Sequence, residues 1–244
     1  MGEASPDVAT LAMSACVLFL AYFVRGVAGF GSGLIAIPLL TLLFPLTVAV
    51  PLVVTLDYLG SGAQAVKHRK FASWQDIFPL IPFTLVGVGI ALLMFRLIDT
   101  SILSRSLGGF VLVFAVYQLL PVPVLRGSRV SAIPYGVLGG LLGTLFGTGG
   151  PLYVIYFKLR HLDKAAFRAS FACFFIIDGS VRLVGYSVFG VFTREVAYGL
   201  LGALPVAALG LFLGGRAHLN LSETVFKRFI SLVLLGSGLA LIVR

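Results

Sequence analysis

Five stretches of this chain, residues 8–24, 77–95, 108–120, 196–215 and 229–243, contain no charged side chain. Each approaches the length of helix that about 30 Å of hydrocarbon demands. Inside lipid every backbone N–H and C=O must find its partner within the protein, which leaves helical bundles and closed barrels as the only spanning architectures. Alternation at period two is absent and the runs are long and aliphatic, so an all-α polytopic membrane bundle is expected. The composition agrees, since only 11% of residues are charged, against roughly 25% in a typical soluble domain. Nothing substantial remains to build a soluble domain.

The segment MSAC at 13–16 looks faintly like a lipoprotein cleavage site, but Glu3 and Asp7 stand where a signal would carry basic residues. Too little apolar sequence precedes Cys16 for that role. Cys16 and Cys173 both fall in expected spans and read as small packing residues. No disulfide framework, metal site or cofactor is expected.

The formal net charge of +9 could suggest a polyanionic partner, but the basic residues sit in short connections. Lys67, Arg69 and Lys70, then Arg126 and Arg129, then Lys158, Arg160, Lys164 and Arg168, then Arg216, Lys227 and Arg228 form successive clusters. The connections between them are poor or balanced, with Arg96, Asp99 and Arg105 in one and Arg194 with Glu195 in another. Positive-inside bias accounts for this alternation without nucleic acid and places the N-terminus outside.

Threading the chain through that bias gives five segments per half. They are about 9–28, a short 33–44, 46–66, 77–97 and 103–121, then about 132–147, a short 150–158, 164–188, 195–215 and 226–243. Because five is odd, the second half starts on the opposite side from the first, which makes the halves inverted repeats. Residues 1–125 form the first repeat and 126–244 the second, within one membrane domain. If the short segments only dip into the bilayer, eight spans remain rather than ten.

FGSG at 30–33 and FGTG at 146–149 recur where a full-length segment gives way to a short one. Glycine costs about 1 kcal/mol in a helix interior relative to alanine but permits unusual dihedrals and close approach. Unwound backbone at membrane depth is tolerated only when buried in protein or lining a wet cavity. The two clusters therefore predict broken helices around a transport site. The competing reading is close helix packing, which suits Gly136, Gly139 and Gly140 and the run Gly210 to Gly214. GFGSGL also hints at a dinucleotide fingerprint, yet it lacks the spacing and the surrounding strands.

Three charges fall inside expected spans: Asp57, Asp178 and Arg182. Each costs roughly 2.5–3.5 kcal/mol at a lipid-facing helix centre, so all three should face the interior. Asp178 and Arg182 share a face at i,i+4 and can pair. They form either a structural ion pair or an anion ligand with its holder, and Asp178 is also a candidate proton carrier. Asp57 has no basic residue within a turn and is the first candidate for proton coupling. Arg25 is either an anchor at the membrane surface or a ligand for an incoming anion. Ser32 and Thr148 supply hydroxyls that could bind substrate or cap the short helices.

The start of a half-helix presents free N–H groups and a positive dipole end. Two such starts, near Leu34 and Pro151, with Arg182 close by, favour a small anion. The expected substrate site comprises Arg25, Gly29, Phe30, Gly31, Ser32, Gly33, Gly147, Thr148, Gly149, Gly150, Pro151 and Arg182. No GxxxxGK[ST] motif for ATP hydrolysis occurs, and no HExxH or other catalytic spacing. His68, His161 and His218 fall in expected loops. The chain reads as a secondary transporter working by alternating access, with a passive anion channel as the alternative and an enzyme excluded. Its partners are a small anion, protons and lipid, with a homo-oligomer left open.

The residues also carry a family resemblance. GVAGFGSGLIAIPLL at 26–40 and GGLLGTLFGTGGPLYVIYF at 139–157, the turns KHRKFASW at 67–74 and GVFTRE at 190–195, and the ending GGRAHLNLSETVFKRFISLVLLGSGLALI at 214–242 resemble the sulfite exporter TauE/SafE family. The resemblance covers roughly 10–243. It implies a multi-pass permease of a bacterial inner membrane that moves sulfite, sulfonates or other organosulfur anions, driven by the proton gradient. It also implies a proline-associated break after each glycine cluster, matched by Pro38 and by Pro151, the latter directly against the glycines.

Overall fold

The computed structural model describes residues 7–29, 31–120, 127–217 and 223–243, with backbone alone for 63–68 and 223–229. The expected boundary between halves, at 125/126, and Phe30 lie outside the described residues. The described chain is helical throughout: α1 Val8–Ala28, α2 Ser32–Thr41, α3 Leu46–His68, α4 Trp74–Ile77, α5 Leu80–Leu97, α6 Thr100–Leu119, α7 Ala132–Phe146, α8 Gly150–Leu159, α9 Lys164–Val188, α10 Arg194–Arg216 and α11 Glu223–Val243. Among the described residues six spans are long and apolar enough to cross a membrane, and α2 and the apolar parts of α3 and α11 are shorter. The protein is a multi-pass membrane protein.

Local chemistry fixes the helix ends. Asp7 caps α1 through Thr10 N–H at 2.9 Å, and Asp163 caps α9 through Ala165 and Ala166 N–H at 2.8 Å. α1 and α7 both stop at a glycine with left-handed dihedrals, Gly29 at φ 87° and Gly147 at φ 60°. An L side chain at either position would be strained, so the chain turns there. Three residues later in each half a ten-residue helix begins, α2 at Ser32 and α8 at Gly150.

Helix association in lipid lacks a hydrophobic driving force and relies on close approach of small residues. α1 packs along α10, where a Cβ at Gly210 would stand 2.7 Å from the Phe19 carbonyl. α5 packs along α7 in the same manner, where a Cβ at Gly136 would stand 2.7 Å from the Phe83 Cβ. α6 and α11 cross at Gly108 and Gly238, each placed so that a Cβ would approach the other's carbonyl, at 2.9 and 3.0 Å. α3 and α9 cross at the centre. The packing reading of the glycines at 136, 139, 140, 210 and 214 is therefore observed. The outer surface is apolar, with Leu85, Leu93, Val113, Leu201, Phe212 and Leu232 exposed as a lipid-facing chain requires.

Connections that the charge pattern assigns to one side do meet. At the basic end Arg160, which follows α8, donates to Asp76 of α4 at 2.8 Å and to the Gly127 carbonyl at 2.7 Å. The Tyr156 hydroxyl donates to the Asp76 carbonyl at 3.0 Å, and Ser73 donates to the Asp76 carboxylate at 2.7 Å. At the opposite end the 42–45 turn, the start of α6 and Leu241 of α11 enclose an open cavity of about 300 Å³.

Candidate functional site

The two breaks face each other. Gly33, in the first turn of α2, lies directly under the carbonyl of Gly147, the cap of α7, and a Cβ there would also stand 3.6 Å from Asp57 Oδ2. Around this contact is a cavity of about 30 Å³, lined by Arg25, Gly29, Gly31, Ser32, Gly33 and Asp57 from the first half and Gly147, Thr148, Gly150 and Pro151 from the second. Leu34, Phe171 and Phe175 complete the wall. The volume admits about one or two waters. The starts of α2 and α8 bring positive dipole ends here, although in α8 Pro151 lacks an N–H and those of Leu152 and Tyr153 are bonded to the Gly149 carbonyl.

Arg25 is the cation on this wall. It is 6% exposed and Asp57 is 9% exposed. One guanidinium nitrogen donates to Asp57 Oδ1 and to Ser32 Oγ, the latter at 3.2 Å. The other donates to Ser61 Oγ at 2.6 Å and to the Asp57 carbonyl at 3.0 Å. The Tyr22 hydroxyl and Ser32 Oγ each donate to Asp57 Oδ1 at 2.7 Å. One carboxylate oxygen thus gathers three donors. The expectation that Asp57 lacks a cationic neighbour is overturned, because Arg25 reaches it from another helix. The surface-anchor reading of Arg25 falls with it.

The second half solves the same problem differently. Arg182 pairs with Asp178 Oδ2 at 2.6 Å, as the i,i+4 spacing predicts. Its guanidinium also contacts the Tyr153 hydroxyl at 3.3 Å and the Gly139 carbonyl at 3.4 Å. Tyr153 reaches Asp178 Oδ1 at 3.4 Å. The position four residues before the α7 cap, which in α1 is Arg25, is here Gly143, and the Arg182 guanidinium fills the space that a side chain would take. Arg182 and Asp178 do not line the cavity. They brace the α7–α8 break from behind, with Arg182 Nη2 3.0 Å from where a Gly149 Cβ would be. Gly149 likewise sits behind the wall, as the cap of α8.

Neither Ser32 nor Thr148 caps a half-helix. The cap positions belong to Gly31, at φ 100°, and Gly149, and neither makes a side-chain cap bond. Ser32 instead joins the Arg25–Asp57 pair. Thr148 is 1% exposed, and its hydroxyl has no hydrogen-bond partner. A buried hydroxyl left unpaired costs free energy. Pro38 follows the break from inside α2, where it deprives the Leu34 carbonyl of its usual partner. Pro151 opens α8, where a proline costs nothing.

Residues 14–241 match the sequence model of the sulfite exporter TauE/SafE family. The chain belongs to that family. It is 27% identical over 227 residues to a protein of Cupriavidus necator named "Probable sulfite/organosulfonate exporter TauE", covering 90% of this chain and 88% of that one. It is 24% identical over 194 residues to a protein of Comamonas testosteroni named "Probable inner membrane transporter protein TsaS", covering 78% of this chain and 81% of that one. No solved structure matches the chain. In this TauE/SafE member, a membrane transporter, both glycine clusters that carry the resemblance converge on one cavity.

Sequence reasoning missed Tyr22, Ser61, Phe171 and Phe175. Ser61 was findable, since it lies one turn after Asp57 on the same face, as Arg182 does after Asp178. Tyr22 stands almost one turn before Arg25. The two phenylalanines carry no signal that separates a cavity wall from ordinary core.

Proposed function

We propose that this protein is a proton-coupled secondary transporter that exports small sulfur-bearing anions, sulfite or an organosulfonate, across a bacterial inner membrane. The observation that carries the reading is the Arg25–Asp57 pair on the wall of a small cavity between two helix breaks. The relatives' names supply the cargo class, the direction and the membrane. The geometry bears on how the cargo is held.

An anion in the cavity takes Arg25 as its charge partner, with Ser32, the orphan Thr148 hydroxyl and the first-turn N–H groups of α2 as further donors. Asp57 competes for the same guanidinium. A proton on the Asp57 carboxylate cancels its charge and leaves Arg25 to the anion, so proton and anion load the same state, and export then runs down the anion's own outward gradient and carries the proton with it. Asp178 was expected to share in coupling. Its pairing with Arg182 away from the cavity supports a bracing role instead, and the coupling role rests on Asp57.

The halves are proposed to be inverted repeats that rock against each other. In support, α1 lies on α10 as α5 lies on α7, and each half has a three-residue break followed by a ten-residue helix. A cavity of about 30 Å³ is too small for a sulfonate, so the walls must part to load it.

Flux in proteoliposomes tests the reading, offering sulfite, sulfate, a sulfonate and a small carboxylate with and without a pH gradient. Gradient-driven accumulation of a sulfur anion, lost in Asp57→Asn, supports a proton-coupled transporter. Flux that ignores both the gradient and the substitution assigns a passive anion channel.

A further inference from the structure

The lining of the central cavity is of two chemical kinds, the polar Arg25, Ser32, Asp57 and Thr148 and the apolar Phe171, Phe175, Leu34 and Pro151. Phe171 and Phe175 stand one turn apart on α9 with ring centroids 4.5 Å apart, and both rings point at the first turn of α8. A Cβ at Gly150 would lie 3.5 Å from the Phe175 ring tip and 4.0 Å from that of Phe171. Phe167 stacks on Phe171 at 6.0 Å, which extends the rings as a ladder toward the basic end of α9.

A bare inorganic oxyanion suits such a site poorly. Its oxygens point in every direction, and each one turned toward the phenyl rings loses hydration without gaining a donor. The ring tips that point at α8 present only C–H groups, far weaker partners for an oxyanion than the O–H and N–H donors of the polar lining. An anion with a charged head and a short carbon substituent suits both kinds of lining at once. Its head meets Arg25, Thr148 and the helix starts, and its carbons meet the rings.

We propose that Phe171 and Phe175 are specificity-determining residues that make the site select a sulfonate bearing an alkyl group over sulfite or sulfate. This rests on the reading of the cavity as the anion site. A methylene that enters an apolar pocket is worth about tenfold or more in discrimination. Selectivity should therefore rise from sulfite to methanesulfonate to ethanesulfonate.

The full-length protein in liposomes, preloaded with one anion and offered each of the three outside, measures this in exchange. The wild type is expected to favour ethanesulfonate over sulfite by about tenfold or more. Phe175→Leu keeps an apolar wall and retains most of that ratio, while Phe175→Asn and Phe171→Asn lower it toward one. The ratio is read within each variant, so a general loss of rate does not disturb it. A wild type that exchanges the three anions equally, or asparagine variants that keep the wild-type ratio, overturns the inference and leaves the transporter reading standing. A wild type that exchanges none of them overturns both. Should the asparagine variants fail to assemble, the chain-length series in the wild type and in Phe175→Leu still decides, since a flat series in both overturns the inference.

Discussion

Arg25 and Asp57 stand 32 positions apart on different helices, and the guanidinium of one donates directly to the carboxylate of the other. Both are buried, so each is the other's compensation for leaving water. Removing one partner of a buried pair costs about 3–5 kcal/mol, because the remaining charge is stranded. Arg25→Ala is therefore expected to lower thermal stability sharply and abolish transport together. Asp57→Asn keeps an acceptor for Tyr22 and Ser32 but strands the buried Arg25 charge, so it should lose stability that a bound anion restores while still exchanging anions. Wild-type accumulation should follow an imposed pH gradient, whereas the asparagine variant should exchange anions without responding to it. Flux with and without the gradient checks this, and an identical response in both removes Asp57 from coupling.

Thr148 offers a cleaner separation of recognition from folding. Its hydroxyl is buried without a partner, so Thr148→Val removes an unsatisfied group and should leave stability equal or slightly higher. Substrate affinity should fall about tenfold, the value of one hydrogen bond to a charged group. Thermal unfolding with and without substrate, beside the concentration dependence of exchange, measures both. A destabilised variant with unchanged affinity would show that the hydroxyl serves the fold.

The two classes of glycine at the breaks should respond differently to the same methyl group. At Gly29 and Gly31 nothing lies within 4 Å of an added Cβ, but φ is 87° and 100°, so alanine pays only dihedral strain, about 1–2 kcal/mol. At Gly33 the dihedral is ordinary for a helix and the Cβ drives into the Gly147 carbonyl. Gly33→Ala should separate the halves at their contact and stop transport, while Gly29→Asn, which tolerates a left-handed backbone, retains it. Flux per folded molecule distinguishes the two.

Arg182 should behave as a structural residue. Arg182→Ala strands Asp178 and is expected to cost about 3–5 kcal/mol, and the double change with Asp178→Ala should cost less than the two single changes added together. Gly143→Ala should be damaging as well, because the methyl group takes the space that the guanidinium fills. A double-mutant cycle read by thermal unfolding gives the coupling. Were Arg182→Lys to change anion preference without changing stability, Arg182 would be a ligand after all.

Much of this architecture is written in the apolar runs. Helix ends such as Leu46 and Lys164 fall where the runs and their flanking charges place them, because a bilayer imposes a length. The breaks at 29–31 and 147–149 are legible because only glycine takes those dihedrals cheaply, and the Asp178–Arg182 pair because i,i+4 neighbours meet on any helix. The partner of Asp57 is not legible, since the register between α1 and α3 depends on how Gly210 and Gly214 seat α10 against α1. The place of Arg182 behind the wall depends likewise on the absent side chain at Gly143. Phe171 and Phe175 look like every other phenylalanine on a lipophilic helix until α8 is laid against them.

The contact of Gly33 with the Gly147 carbonyl has a mechanical consequence. Backbone meets backbone there, and the Ile37 side chain packs on Gly147 beside it. In the proposed rocking motion this contact is the pivot, and the charged pair beside it sets the threshold for movement. Under that reading, whatever loosens Arg25 from Asp57 also frees the hinge.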